Sequence, residues 1–194
     1  GGHRTRQRGL TSMSLASTAP GLLSRTEGYR RCADLFGEAG TVDAYLRFEL
    51  ALAEAQAELG VIPGEALPAI RRACTPGTLD LDALRVGAAQ VGYPIVTLVS
   101  MLAEAAGAAG QWLHYGATTQ DVMDTAQVLQ SRAALAAVQA DLSVLCSALA
   151  DLADRHRATP MAGRSKLQHG VPLSFGYKAA VWLDQIDRCA ARLG

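Results

Sequence analysis

Aromatic residues are scarce in this chain, 5% of 194, although 49% of it is hydrophobic. The apolar content is mostly alanine, leucine and valine, which suits closely packed helices better than sheets. An excess of charge is also lacking, because 18 basic residues balance 18 acidic ones. A neutral chain has no global field to draw it onto nucleic acid or a membrane surface. Cysteine is sparse: Cys32, Cys74, Cys146 and Cys189 stand far apart, with no CxxC and no Cys/His spacing that would ligate a metal. Reduced thiols in a cytoplasmic protein are the simplest account, and no metal site is expected.

A long uninterrupted apolar run is missing too. The stretch Val91 to Ala109 is broken by Gly92, Pro94 and Glu104, and is too short for a membrane span. Residues Gly1 to Ser12 carry Arg4, Arg6 and Arg8 but no apolar segment, so they do not read as a signal peptide. Met13 suits a native start, which makes 1–12 a tag or flexible tail. The chain is expected to be soluble, with no membrane or nucleic-acid partner.

What is present is helical periodicity. Leu22 to Gly40 is expected to hold a short helix. Thr41 can cap a clearer one through Leu59, with Val42, Tyr45, Leu46, Glu49, Leu52 and Ala53 on one side and Gly60 as its stop. Glu65 to Cys74, Leu81 to Gln90 and Ile95 to Ala109 read as three further helical pieces. The longest pattern starts near Thr119 and runs to about Arg157. Val128, Leu135, Leu142 and Leu149 fall seven apart, and Val138, Leu145 and Leu152 fall three after the last three, which makes an a/d seam. About 38 residues at about 1.5 Å each give roughly 57 Å. Only Leu173 to Leu193 can partner that helix, over half its length, so its seam calls for more helices than the chain supplies. No internal repeat and no strand pair is evident.

Two polar clusters flank this helix. Before it stands His114-Tyr115-Gly116-Ala117-Thr118-Thr119-Gln120-Asp121, with Asp124 one turn later. Carboxylates suit a helix N-terminus, where free N–H groups and the dipole favour negative charge, so a simple capping cluster is one reading. After the helix comes Gly163-Arg164-Ser165-Lys166-Leu167-Gln168-His169-Gly170-Val171-Pro172. Such a loop can present donors to an anion, or can be an ordinary solvated connection.

Together, in this order and about forty residues apart, the clusters resemble the G-A-T-S-x-D and G-R-T-x-x-Q-x-x-x-P stretches of the fumarase/aspartase superfamily. The muconate cycloisomerase branch is the most similar, also through Phe48-Glu49-Leu50-Ala51-Leu52-Ala53-Glu54-Ala55-Gln56-Ala57-Glu58-Leu59-Gly60-Val61-Ile62-Pro63. The resemblance covers about Thr26 to Gly194. It implies an all-α fold: a small N-terminal helical domain over 13–112, then over 113–194 the first long helices of a bundle domain that four subunits complete. It implies cofactor-free removal of a proton next to a carboxylate, with departure of a group from the next carbon. It implies as well a small polycarboxylate substrate, held at a site drawn from three subunits.

On this resemblance Thr118, Thr119, Gln120, Arg164, Ser165, Lys166 and Gln168 are expected to bind substrate. Thr119, Lys166 and His169 are expected to act at the reacting atoms, and Asp121 and Asp124 to orient donors or cap the helix. A carbanion stabilised as a doubly charged carboxylate rewards preorganised donors. His169 suits proton donation or relay, and equally a structural hydrogen bond. Lys166 stands where adenylosuccinate lyases and fumarases carry histidine, Ser165 replaces the usual threonine, and no histidine stands near Gly92-Tyr93-Pro94. These departures weigh against adenylosuccinate lyase and leave a nitrosuccinate-type lyase open. The superfamily's G-S-S-x-M-P-x-K-x-N-P loop, whose serine is taken as the base, has no counterpart in these residues. The chain is therefore expected to be an incomplete, inactive portion of an enzyme; the rival reading is a non-catalytic helical protein that only oligomerises.

Overall fold

The computed structural model describes residues 27–193, and the expected tail over 1–12 lies outside them. The described residues form seven α-helices and one strand pair: α1 (Glu27–Phe36), α2 (Glu38–Glu58), α3 (Leu67–Ala73), α4 (Leu81–Val91), α5 (Ile95–Ala106), α6 (Thr119–Arg155), β1 (Pro160–Ser165), β2 (Gln168–Ser174) and α7 (Phe175–Leu193). Single 3₁₀ segments, Gly64–Ala66 and Gly107–Trp112, precede α3 and follow α5. The fold is all-α with one small hairpin.

Local chemistry sets most of the boundaries. Asp80 Oδ1 accepts from the N–H groups of Asp82 and Ala83 at 2.9 and 3.1 Å and starts α4. Gly92 ends it at φ +96, a left-handed conformation that glycine adopts without steric penalty. α2 starts at Glu38 rather than at Thr41. A Cβ at Gly40 would lie 2.3 Å from the Asp34 carbonyl oxygen, so glycine lets α1 and α2 meet closely and the helix begins a turn earlier. The Thr41 hydroxyl, freed from capping, accepts from Gln130 Nε2 at 2.9 Å.

The core lies among α2 to α5. Val42, Tyr45, Leu46 and Ala53 of α2 pack with Ile70, Leu84, Ile95, Leu98 and Leu102, and Val122 and Ala126 of α6 join them. Ile70, Leu98, Leu102 and Val122 are fully buried, and each contributes about 1.5–3 kcal/mol.

α6, at 37 residues, is about 55 Å long. Its buried side chains, Val122, Ala126 and Gln130, form a stripe at four-residue spacing, distinct from the heptad seam. Much of the seam stays open: Val128 is 64% exposed, and Leu135, Val138 and Leu145 are exposed as well, while Leu142, Leu149 and Leu152 are half-buried. α7 returns along the second half of α6. Gly176, at its start, approaches Ala153 so closely that a Cβ would lie 2.4 Å from that carbonyl oxygen. At the far end, Gln139 Nε2 donates to Leu193 O at 2.8 Å. An 18-residue window of α6 has mean hydropathy 1.7, enough by length and composition to cross a bilayer.

The expectation of no strand pair is corrected. β1 and β2 pair antiparallel, with Arg164 opposite His169 and Ser165 opposite Gln168, and with an irregularity between Ala162 and Arg164. The two-residue turn is Lys166-Leu167, both at positive φ (32° and 66°). Neither residue is the glycine or asparagine that advertises such a turn, and Gly163, Gly170 and Pro172 argue against strands. The hairpin is mostly exposed, so it shows no alternation of apolar and polar residues.

Candidate active site

The first cluster is built by the corner between the 3₁₀ segment and α6. After Leu113 the chain turns through His114 at φ +55 and Gly116 at φ +72, and Ala117 N–H donates to His114 O at 3.3 Å. Thr118 is the N-cap, in extended backbone conformation. Asp121 closes the first turn: its Oδ2 accepts from Thr118 N–H at 2.9 Å, and its N–H donates to Thr118 O at 3.1 Å. Gln120 Nε2 donates to Asp124 Oδ1 at 2.6 Å. Thr119 is half-buried; Thr118, Gln120, Asp121 and Asp124 are exposed. Val122 is the buried anchor one step further along, so this end of the helix is fixed on the core while its first turn faces out.

Beneath the corner lies a pair the sequence reading did not assign. Glu49, whose side chain is 0% exposed, places Oε1 2.7 Å from His114 Nδ1. Burial raises its carboxyl above the ordinary carboxylate value, and the bond to His114 pulls it partly back. Glu49 Oε2 has no partner. Two turns along α2, Gln56 Nε2 donates to Tyr115 O at 2.6 Å. Burial and then the Glu49 charge push the Cys74 thiol up to about 12. The sequence carried a sign of this pair: Glu49 is a carboxylate set among the apolar positions of its helix face.

The second cluster is the hairpin tip. Arg164, Ser165, Lys166, Gln168 and His169 are all exposed there. Cross-strand pairing puts Arg164 beside His169 and Ser165 beside Gln168, with Lys166 in the turn. The charges here are uncompensated: neither Arg164 nor Lys166 forms an ion pair among the described residues. An exposed array of two cations, an imidazole, a hydroxyl and an amide can grip a carboxylate. No group of His, Cys, Asp and Glu suited to a metal ion occurs among the described residues.

The structure does not bring the two clusters together. They flank opposite ends of α6, whose 37 residues span about 55 Å. β2 has 7 residues, so even a hairpin folded flat along α6 would recover only about 23 Å and leave about 30 Å between the clusters.

Known proteins share this architecture. The sequence profile of a family described as "Lyase" matches residues 30–194. A 3-carboxy-cis,cis-muconate cycloisomerase of Bradyrhizobium diazoefficiens is 42% identical over 160 residues, covering 80% of this chain and 36% of the relative. A nitrosuccinate lyase of Streptomyces davaonensis is 39% identical over 176 residues, covering 89% of this chain and 37% of the relative. The crystal structure of a fumarate lyase from Mesorhizobium sp. BNC1 superposes with a TM-score of 0.80 at 49% identity, over 84% of this chain and 39% of that one. The chain thus spans well under half the length of these proteins.

Proposed function

Since the chain belongs to the lyase family of the fumarase/aspartase superfamily, we propose that the protein carrying it is a cofactor-free lyase or cycloisomerase acting on a small polycarboxylate. The observation that carries this reading is the pair of exposed donor clusters at opposite ends of α6. Each is suited to an anion, and neither is complete alone. One site made from both needs more than one copy of the chain, and the uncovered seam of α6 offers the apolar face on which copies would associate, as a tetramer.

In the proposed reaction a base takes a proton from the carbon next to a substrate carboxylate. The C–H electron pair is delocalised into that carboxylate, which gains a second negative charge. It then returns to form the C=C bond as the C–O or C–N bond at the neighbouring carbon breaks. Thr118, Thr119 and Gln120, with Arg164, Ser165, Lys166 and Gln168, supply the donors that stabilise the doubly charged intermediate; removing one such donor typically lowers kcat by about 10²–10³. In this reading Thr119, Lys166 and His169 act at the reacting atoms, with His169 passing a proton to the departing group. Asp121, committed to the first turn of α6, binds no substrate. The base is supplied from outside these 194 residues, so the chain alone is inactive.

The substrate we favour is 3-carboxy-cis,cis-muconate with its lactone. Loss of nitrite from nitrosuccinate is the second reading, supported by the 39% identity to a nitrosuccinate lyase; the extra cation of Lys166 suits a nitro group as it suits an extra carboxylate. An ultraviolet assay of full-length protein separates them: loss of muconate absorbance supports the first, and fumarate appearing from nitrosuccinate supports the second. If association occurs with no turnover or binding of any polycarboxylate, the protein is a helical oligomer without this chemistry.

A further inference from the structure

We propose that Glu49 and Gln56 are positioning residues for the donors at the start of α6, an inference that rests on the lyase reading above. The two side chains lie on one face of α2, seven residues apart, and reach consecutive residues of the corner. Glu49 Oε1 meets His114 Nδ1 at 2.7 Å, and Gln56 Nε2 meets Tyr115 O at 2.6 Å. The corner needs holding: His114 has a Cβ and sits at φ +55, a conformation such a residue avoids unless its surroundings impose it.

Packing alone does not explain these choices. Glu49 projects from a face that otherwise presents Val42, Tyr45, Leu46 and Ala53 to the core. A leucine at 49 would fill apolar space without desolvating a carboxyl, and here Glu49 Oε2 and Gln56 Oε1 are both buried without a partner. What the polar groups add is direction. A hydrogen bond ties one ring nitrogen and one carbonyl to fixed points on α2, whereas apolar contact would let the turn slide. Trp112 packs edge-on against Tyr115 at 5.6 Å between ring centroids, so the corner is braced on its outer side as well. Three residues after Tyr115 the chain enters α6 at Thr118, with Val122 seated in the core. The donors therefore hang between two anchors, the α2 clamp and the Val122 seat.

The test uses the full-length protein with Glu49→Ala, Glu49→Gln and Gln56→Ala. Hydrogen–deuterium exchange is followed at residues 113–122 and, as a reference, over α5. Steady-state kinetics use whichever polycarboxylate the wild type converts. In Glu49→Ala and Gln56→Ala we expect faster exchange at 113–122 with α5 unchanged. We expect kcat to fall about 10- to 100-fold, the scale of a small misplacement of catalytic groups, while KM changes little. Glu49→Gln keeps an acceptor for the His114 N–H and is expected to restore both readouts. The proposal is overturned if exchange at 113–122 stays at the wild-type rate. It is equally overturned if exchange rises over α5 to the same extent, the mark of a general structural role, or if the corner loosens and kcat does not move. Gln56 is only half-buried, so its variant stays readable if Glu49→Ala does not fold. A wild type that converts no polycarboxylate refutes the lyase reading instead, and the exchange data then decide the clamp by themselves.

Discussion

The separation of the two clusters leads to a complementation experiment with a calculable answer. Two full-length variants are made, Thr119→Ala at one end of α6 and Arg164→Ala in the hairpin. Each removes a donor to the developing charge and is expected to lose about 10²–10³ in kcat. The variants are then unfolded together, or co-expressed, at equal amounts so that oligomers form from random mixtures. Within one chain the clusters stay at least about 30 Å apart whatever the pose of the hairpin, because α6 is about 55 Å long and the hairpin reaches about 23 Å. Each site must therefore take its Thr119 and its Arg164 from different copies. With random mixing, about one site in four receives the intact residue at both positions, so the mixture should recover about a quarter of wild-type activity. The assay is substrate absorbance per milligram against each variant alone and against a simple blend of the folded variants, which should stay inactive. A mixture no more active than its parents would refute the reasoning, since it would mean that both clusters of a site come from one chain.

Three further outcomes follow from particular contacts. Cys74 is buried and its thiol is pushed up to about 12, so a thiol reagent at pH 8 should leave it unlabelled in the native protein and label it on denaturation, read by peptide mass. Gly176→Ala places a methyl 2.4 Å from Ala153 O and should push α7 off α6, lowering stability by about 1–3 kcal/mol in thermal unfolding. Glu38 is held below its ordinary value by its bond to Arg85, so its stabilising effect is present above about pH 4.5 and fades as the pH falls below that. Glu38→Gln should flatten Tm against pH on the acid side, by a small amount because both groups are half exposed.

The legible part of this protein is the part that depends on neighbours in the chain. Helical spacing at Ile95, Leu98 and Leu102 located α5, and glycine at 60 and 92 located helix ends, because periodicity and backbone freedom are local properties. Thr41 misled for the opposite reason: whether it caps a helix depends on how closely Asp34 can approach Gly40, a contact between two helices. The hairpin was unreadable because its pairing is imposed across the turn at Lys166-Leu167, without the residues that mark such turns. Glu49 was visible as a carboxylate on an apolar face, but its partner lies 65 residues away in the sequence.

By itself, then, the sequence determined the helical class, the long seam of α6 and the two donor clusters, since each follows from composition and short-range spacing. Tertiary structure decided which stripe of α6 is buried, what holds the corner at His114, and that the clusters lie too far apart to meet in one chain. Those depend on the rigid length of a helix and on packing between segments remote in sequence, which no local pattern encodes.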